Sequence, residues 1–139
     1  MTLSILLDGG LSVVRGGNWL RSLWLLWGRF LAQRHAGVHL DRTCRIHPEA
    51  RINPRGGQLS IGARCQVAPG ACIQGPVTIG DDCSVQAYSM LIAACNGGPI
   101  TVGNGVRIAP HVMVFATNHI FKSPDIPIHK QGVENAPII

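Results

Sequence analysis

The chain has 139 residues, the length of one ordinary domain, and its composition gives no sign of a second one. Hydrophobic residues make up 46% of it, charged residues 14% and aromatic residues only 5%, which favours a narrow, repetitive core of aliphatic side chains. The net charge of +5 suits an anionic partner, but no aromatic-basic strand platform or recognition-helix motif accompanies it, so we expect no nucleic-acid binding.

The five cysteines restrict the chemistry further. Their number is odd, and the sequence contains no Cys-x-x-Cys pair. This pattern argues against a disulfide framework and against a zinc module. We therefore expect a reducing, cytoplasmic environment and no bound metal.

Residues 1-39 form a basic, tryptophan-rich segment that we predict to be an amphipathic helix. Arginines outnumber acidic residues there, and leucines surround Trp19, Trp24 and Trp27. The longest apolar stretch, Leu20 to Leu31, is interrupted by arginines and is shorter than the roughly 20 apolar residues that a membrane span requires. We therefore expect no transmembrane helix.

Two placements fit this predicted helix, and they are compatible. Its apolar residues at helical steps on one side are Leu20, Leu23, Trp24, Trp27 and Leu31. That side is suited to lie on an anionic membrane surface, through residues 18-34. It is equally suited to cap the open end of a repeat, which solenoids require. If the helix lies on a membrane, we expect this cytoplasmic protein to be peripheral at the inner face of that membrane.

From residue 40 onward the chain repeats with a period of six. The uninterrupted central series consists of Ile61, Val67, Ile73, Ile79, Val85 and Leu91. Helices place apolar residues at steps of three and four and strands at every second residue, so neither period explains a sustained step of six. A triangular coil does, because three six-residue units close an 18-residue turn and every hydrophobe points inward.

The same lattice extends in both directions and predicts four coils in residues 40-139. It needs a three-residue insertion around Gly56 and Gly57 and a five-residue insertion around 96-99. The predicted columns on the three faces are Leu40, Ile61, Ile79 and Val102; Ile46, Val67, Val85 and Ile108; and Ile52, Ile73, Leu91 and Val114. Cys44, Cys65 and Cys83 stand four positions after first-face hydrophobes, which predicts small packing residues.

The period stops after Val114, and we predict that residues 115-137 leave the coil as a loop. Long loops on a rigid scaffold commonly carry function. This one contains Asn118-His119, then Ser-Pro-Asp-Ile-Pro-Ile, then Gln131-Gly132.

Repeats such as Ile79-Gly-Asp-Asp-Cys-Ser and Val102-Gly-Asn-Gly-Val-Arg resemble the hexapeptides of bacterial acyltransferases. With Tyr88-Ser89 and the Asn-Gly-Gly insertion, the loop is similar to the active-site loop of the sugar O-acetyltransferases. The resemblance covers about residues 40-139. It implies a left-handed parallel β-helix, against the general rule of right-handed parallel crossovers, and a homotrimer with active sites between subunits.

The resemblance also implies a reaction, the transfer of an acetyl group from acetyl-CoA to a hydroxyl of a sugar or surface-polysaccharide precursor. His119 would be the general base, because an imidazole that is largely neutral near pH 7 can accept the hydroxyl proton. Asn118, Tyr88 and Gln131 would bind the acceptor. The family's later coils form much of the coenzyme A groove, so we expect the cofactor-binding residues to lie mostly beyond Ile139.

Alternatives remain open at this stage. Taken alone, His119 is compatible with a solvated loop histidine. The chain also stops where resembling enzymes continue, so a truncated, catalytically inactive β-helix or assembly module is the alternative function. The spacing of His111, His119 and His129 does not match the zinc site of carbonic-anhydrase-like proteins on the same fold.

Overall fold

The computed structural model describes residues 19–139, and the expectations for residues 1–18 lie outside the described residues. The described part begins with helix α1 (Trp19–Gln33) and contains a short helix α2 (Ile128–Gln131) in the last segment. The strands are β1 (Val38–Leu40), β2 (Arg45–Ile46), β3 (Arg51–Asn53), β4 (Leu59–Ile61), β5 (Gln66–Val67), β6 (Cys72–Gln74), β7 (Val77–Ile79), β8 (Ser84–Val85), β9 (Met90–Ile92), β10 (Ile100–Val102), β11 (Arg107–Ile108), β12 (Met113–Phe115), β13 (Thr117–His119) and β14 (Val133–Asn135).

The first twelve strands form three parallel four-stranded sheets, which are the faces of a three-sided prism. The first face has the order β1-β4-β7-β10, the second β2-β5-β8-β11 and the third β3-β6-β9-β12. Strand registers align each of the three predicted aliphatic columns residue by residue. The four predicted coils and both insertions are therefore confirmed.

The interior of the prism is aliphatic, as the period of six predicts. Ile46, Ile73 and Leu91 are buried, one in each of three successive coils. In the fourth coil the column residues, such as Val102 and Ile108, are only partly buried. Within residues 19–139 no further coil covers that end of the prism, and only a single bridge from Ile138 to Ile100 lies there.

The stacked cysteines are packing residues, as predicted, and they also make hydrogen bonds. The Cys44 thiol donates to the carbonyl oxygen of Gly62 at 2.8 Å, and Cys65 donates to that of Gly80 at 3.0 Å. Cys83 repeats the contact with Gly103 at 3.0 Å. Each thiol therefore links its own coil to the next one.

Helix α1 packs across the first coil and caps the prism. Its buried residues are Gly28 and Ala32, and a Cβ at Gly28 would overlap the carbonyl oxygen of Ile46. The Arg29 guanidinium donates to the carbonyl oxygens of Asp41 and Cys44, at 2.9 and 3.4 Å. The capping role predicted for this segment is thus confirmed.

The apolar side of α1 predicted from the sequence is divided in the structure. Trp24 and Leu31 are half-buried, and the Trp24 indole N–H lies 3.4 Å from Nε2 of His47 in the first coil. Leu20, Leu23 and Trp27 instead face outward, with Trp27 50% exposed. Large apolar residues lie on more than one side of the helix, so the small residues that allow close approach determine which side is buried. Within residues 19–139, no helix is long and apolar enough to cross a membrane.

Candidate functional site

The segment that leaves the fourth coil is built on a two-stranded antiparallel ribbon. Strand β13 pairs with β14, with Asn118 opposite Glu134 and His119 opposite Val133. The ribbon is fixed to the prism because the Asn135 side-chain amide donates to the carbonyl oxygen of Asn96, at 3.0 Å, in the five-residue insertion. The chain then rejoins the first face, where Ile138 bridges Ile100 in parallel.

His119 is the last residue of β13, and its side chain is exposed. Its backbone N–H donates to Oδ1 of Asn118 at 2.9 Å, which fixes the two neighbouring residues relative to each other. In the described part of the chain, no group makes a hydrogen bond with the imidazole itself. Both ring nitrogens are therefore open to a ligand, and no side chain among residues 19–139 orients the ring through a hydrogen bond.

Gln131 lies at the end of α2 and closes the distal part of the loop. Its Nε2 group donates to the carbonyl oxygens of Ser123 and Ile126, at 2.8 and 2.6 Å. Its Oε1 accepts from the backbone N–H of Ser123 at 3.0 Å. Both amide hydrogens are thus used within the loop, and only a remaining lone pair of Oε1 is available to an acceptor.

Tyr88 lies at a different corner of the prism, between β8 and β9, with a φ of 59°. The Cδ1 and Cε1 atoms of its ring lie so close to Gly70 that a Cβ there would overlap them, and the ring stacks on His111 with centroids 5.4 Å apart. Tyr88 is 51% exposed, so a ligand can reach it. Sequence reasoning placed Tyr88 near the acceptor but gave no signal for this stack.

One chain does not bring all four predicted site residues together. Asn118 and His119 are adjacent on β13, and Gln131 belongs to the same loop. Tyr88 lies at the corner before the third face, whereas the segment with His119 leaves the corner after it. The strands of that face have three residues, so about 10 Å separates these two corners.

Sequence reasoning missed a polar cleft on the second face, lined by Thr43, Arg45, Arg64, Gln66, Asp82 and Arg107. Arg64 donates to both carboxylate oxygens of Asp82, from Nε at 2.7 Å and from Nη2 at 2.6 Å, and this pair holds the pKa of Asp82 below its usual range. Arg64 and Asp82 are 18 positions apart along the chain, so only the stacking of coils shows that they are neighbours.

Among residues 19–139, no three His, Cys, Asp or Glu side chains converge in a way that could hold a metal ion.

In a comparison with known families, residues 59–93 match the bacterial transferase hexapeptide model (six repeats). The matched stretch runs from β4 to the end of β9 and comprises the two central coils. Searches of curated proteins and of solved structures gave no match. The two central coils of this β-solenoid are therefore similar to the hexapeptide repeats of bacterial transferases.

Proposed function

We propose that this chain is an acyltransferase that moves an acetyl group from acetyl-CoA to a hydroxyl of a sugar or surface-polysaccharide precursor. The match to bacterial transferase repeats supports the reaction class. The observation that carries the proposal is the exposed imidazole of His119, held on a ribbon that leaves the solenoid and free of hydrogen bonds from the described chain.

His119 is the general base in this proposal. The imidazole takes the proton of the acceptor hydroxyl as the oxygen attacks the thioester carbonyl carbon. The new C–O bond forms, the tetrahedral intermediate collapses with cleavage of the C–S bond, and the imidazolium returns its proton to the thiolate of coenzyme A. Backbone N–H groups are the expected donors to the oxyanion. We assign no residue of this chain to the acyl donor.

The proposed assembly is a homotrimer with the site between subunits. Two features of the described chain support it. Among residues 19–139, no group makes a hydrogen bond with the imidazole of His119, and Tyr88 lies at another corner of the prism. A neighbouring copy placed alongside supplies a second corner to the same site, as cyclic symmetry allows.

His119→Ala tests the chemistry. We expect the acetylation rate to fall by about 10²–10⁴-fold, the usual contribution of a general base, with an unchanged melting temperature because the side chain is exposed. His129→Ala is the matched control, since His129 is an exposed histidine of the same loop. Acetylated product is best counted by mass spectrometry, because exposed Cys95 would react in a thiol-release assay.

Equal activity of wild type and His119→Ala would remove His119 from the mechanism. The second candidate function is a catalytically inactive assembly module, and the partly buried aliphatic residues of the fourth coil favour it, because they suit a covering partner. In that case calorimetry detects no acetyl-CoA binding, and no acceptor is turned over.

A further inference from the structure

The outward side of α1 is a continuous apolar surface. Its exposed large side chains are Trp19, Leu20, Leu23, Leu26, Trp27 and Phe30. Trp27 and Phe30 stack on each other with centroids 5.3 Å apart, and Phe30 is 62% exposed. Large contiguous apolar patches on protein surfaces usually mark an interaction site.

The cap on the prism does not require this apolar side. The close contact with the first coil is made by Gly28 and Ala32, and Arg29 ties the helix to two carbonyl oxygens there. Polar residues on the outward side would leave those contacts intact. The packing of α1 on the first coil therefore does not explain why tryptophans and leucines occupy its outward side.

Positive charge is concentrated at the same end of the molecule. Residues 19–55, which comprise α1 and the first coil, contain seven arginines and two acidic residues, whereas residues 56–139 contain four basic and four acidic residues. Arg42, Arg51 and Arg55 are exposed on the first coil, and Arg34 is exposed just after α1. We call these four residues the arginine collar. The three in the first coil lie at its first corner (Arg42), on its third face (Arg51) and at the insertion that follows (Arg55).

We propose that the helix-capped end docks on an anionic lipid bilayer. Helix α1 lies parallel to the surface with its outward side in the interfacial region, where tryptophans are preferred, and the arginine collar faces anionic head groups. A second copy of the chain is a poorer occupant, because face-to-face pairing would bring two arginine collars together.

Docking in this orientation sets the position of the proposed active site. The loop with His119 leaves the fourth coil, three inter-strand steps of about 4.8 Å, or roughly 14 Å, beyond the first coil. The loop therefore stands away from the lipid surface, accessible from the aqueous side.

Vesicle flotation tests the proposal without any enzyme assay, so its result is independent of the proposed function. The full chain is mixed with phosphatidylcholine vesicles, or with vesicles that contain about one third phosphatidylglycerol. We expect flotation with the anionic vesicles only, and release at high salt. The triple variant Leu23→Glu, Trp27→Glu, Phe30→Glu should lower the bound fraction at least about tenfold.

The control variant Ser22→Glu, Gln33→Glu also adds negative charge to exposed positions of α1 but keeps the apolar side, so it should retain most of the binding. Replacement of Arg42, Arg51 and Arg55 by Gln should weaken binding and flatten its salt dependence. The proposal is overturned if wild type does not float with anionic vesicles, or if the triple variant floats equally well. Wild-type oligomers that ignore vesicles and dissociate in the triple variant would instead identify a second copy as the occupant.

Discussion

At the scale of single residues, the buried thiols combine packing with electrostatics. Burial raises the pKa of Cys65 from its ordinary 9.0 to about 12, and it also raises the pKa of Cys44. Desolvation is the main cause in both cases, because the thiolate loses more hydration than the thiol when it is buried. These cysteines are therefore poor nucleophiles at neutral pH, in agreement with a structural role.

The raised pKa of Cys65 predicts how stability depends on pH. Between about pH 9 and pH 12 the unfolded chain loses the thiol proton while the folded chain keeps it, so the free energy of unfolding falls as pH rises. Cys65 alone contributes a slope of at most about 1.4 kcal/mol per pH unit. Urea denaturation at several alkaline pH values measures the slope, and Cys65→Ala should reduce it. An identical slope in the variant would contradict the assignment.

At the scale of secondary-structure elements, Gly28 fixes how closely α1 approaches the prism. In an exposed helix, Gly→Ala usually stabilises by about 1 kcal/mol. At this position the added methyl group would overlap the carbonyl oxygen of Ile46, so we expect Gly28→Ala to lower the free energy of unfolding by about 2 kcal/mol. Thermal or urea denaturation measures the change. Ser22→Ala, on an exposed part of the same helix, should be neutral or slightly stabilising, and a stabilising Gly28→Ala would refute the close contact.

The elements differ in how far the sequence predicts them. The coils follow from the sequence because each inward position is specified every six residues, so Ile61 and Ile79 define the same face independently. The buried side of α1 cannot be predicted from the sequence in the same way. Large apolar residues lie on more than one side of this helix, and Gly28 determines which side contacts the prism. Nor can the stack of Tyr88 on His111 and the hydrogen bonds of Gln131 be predicted, because both depend on how corners and loop backbone meet in space.

At the scale of the whole molecule, the two ends of the prism have different surfaces. The first coil is covered by α1 and surrounded by arginines, whereas the fourth coil leaves Val102, Ile108 and Val114 partly exposed and carries the loop with His119. A protein arranged in this way can contact one surface with its capped end and present its loop at the other. The three lateral faces of the prism take part in neither contact.

Subunit mixing tests whether the proposed site is shared between neighbours. In a trimer whose site takes His119 from one subunit and Tyr88 from the next, His119→Ala and Tyr88→Gly are each inactive, and glycine retains the left-handed backbone at position 88. Random mixing in equal amounts places an intact His119 beside an intact Tyr88 in about one quarter of the sites of a cyclic trimer. Activity should therefore return to about one quarter of the wild-type rate after refolding together. A mixed trimer necessarily contains at least one site with an intact His119 and an intact Tyr88. If native mass spectrometry shows mixed trimers and the activity stays absent, His119 and Tyr88 of neighbouring subunits do not share a site.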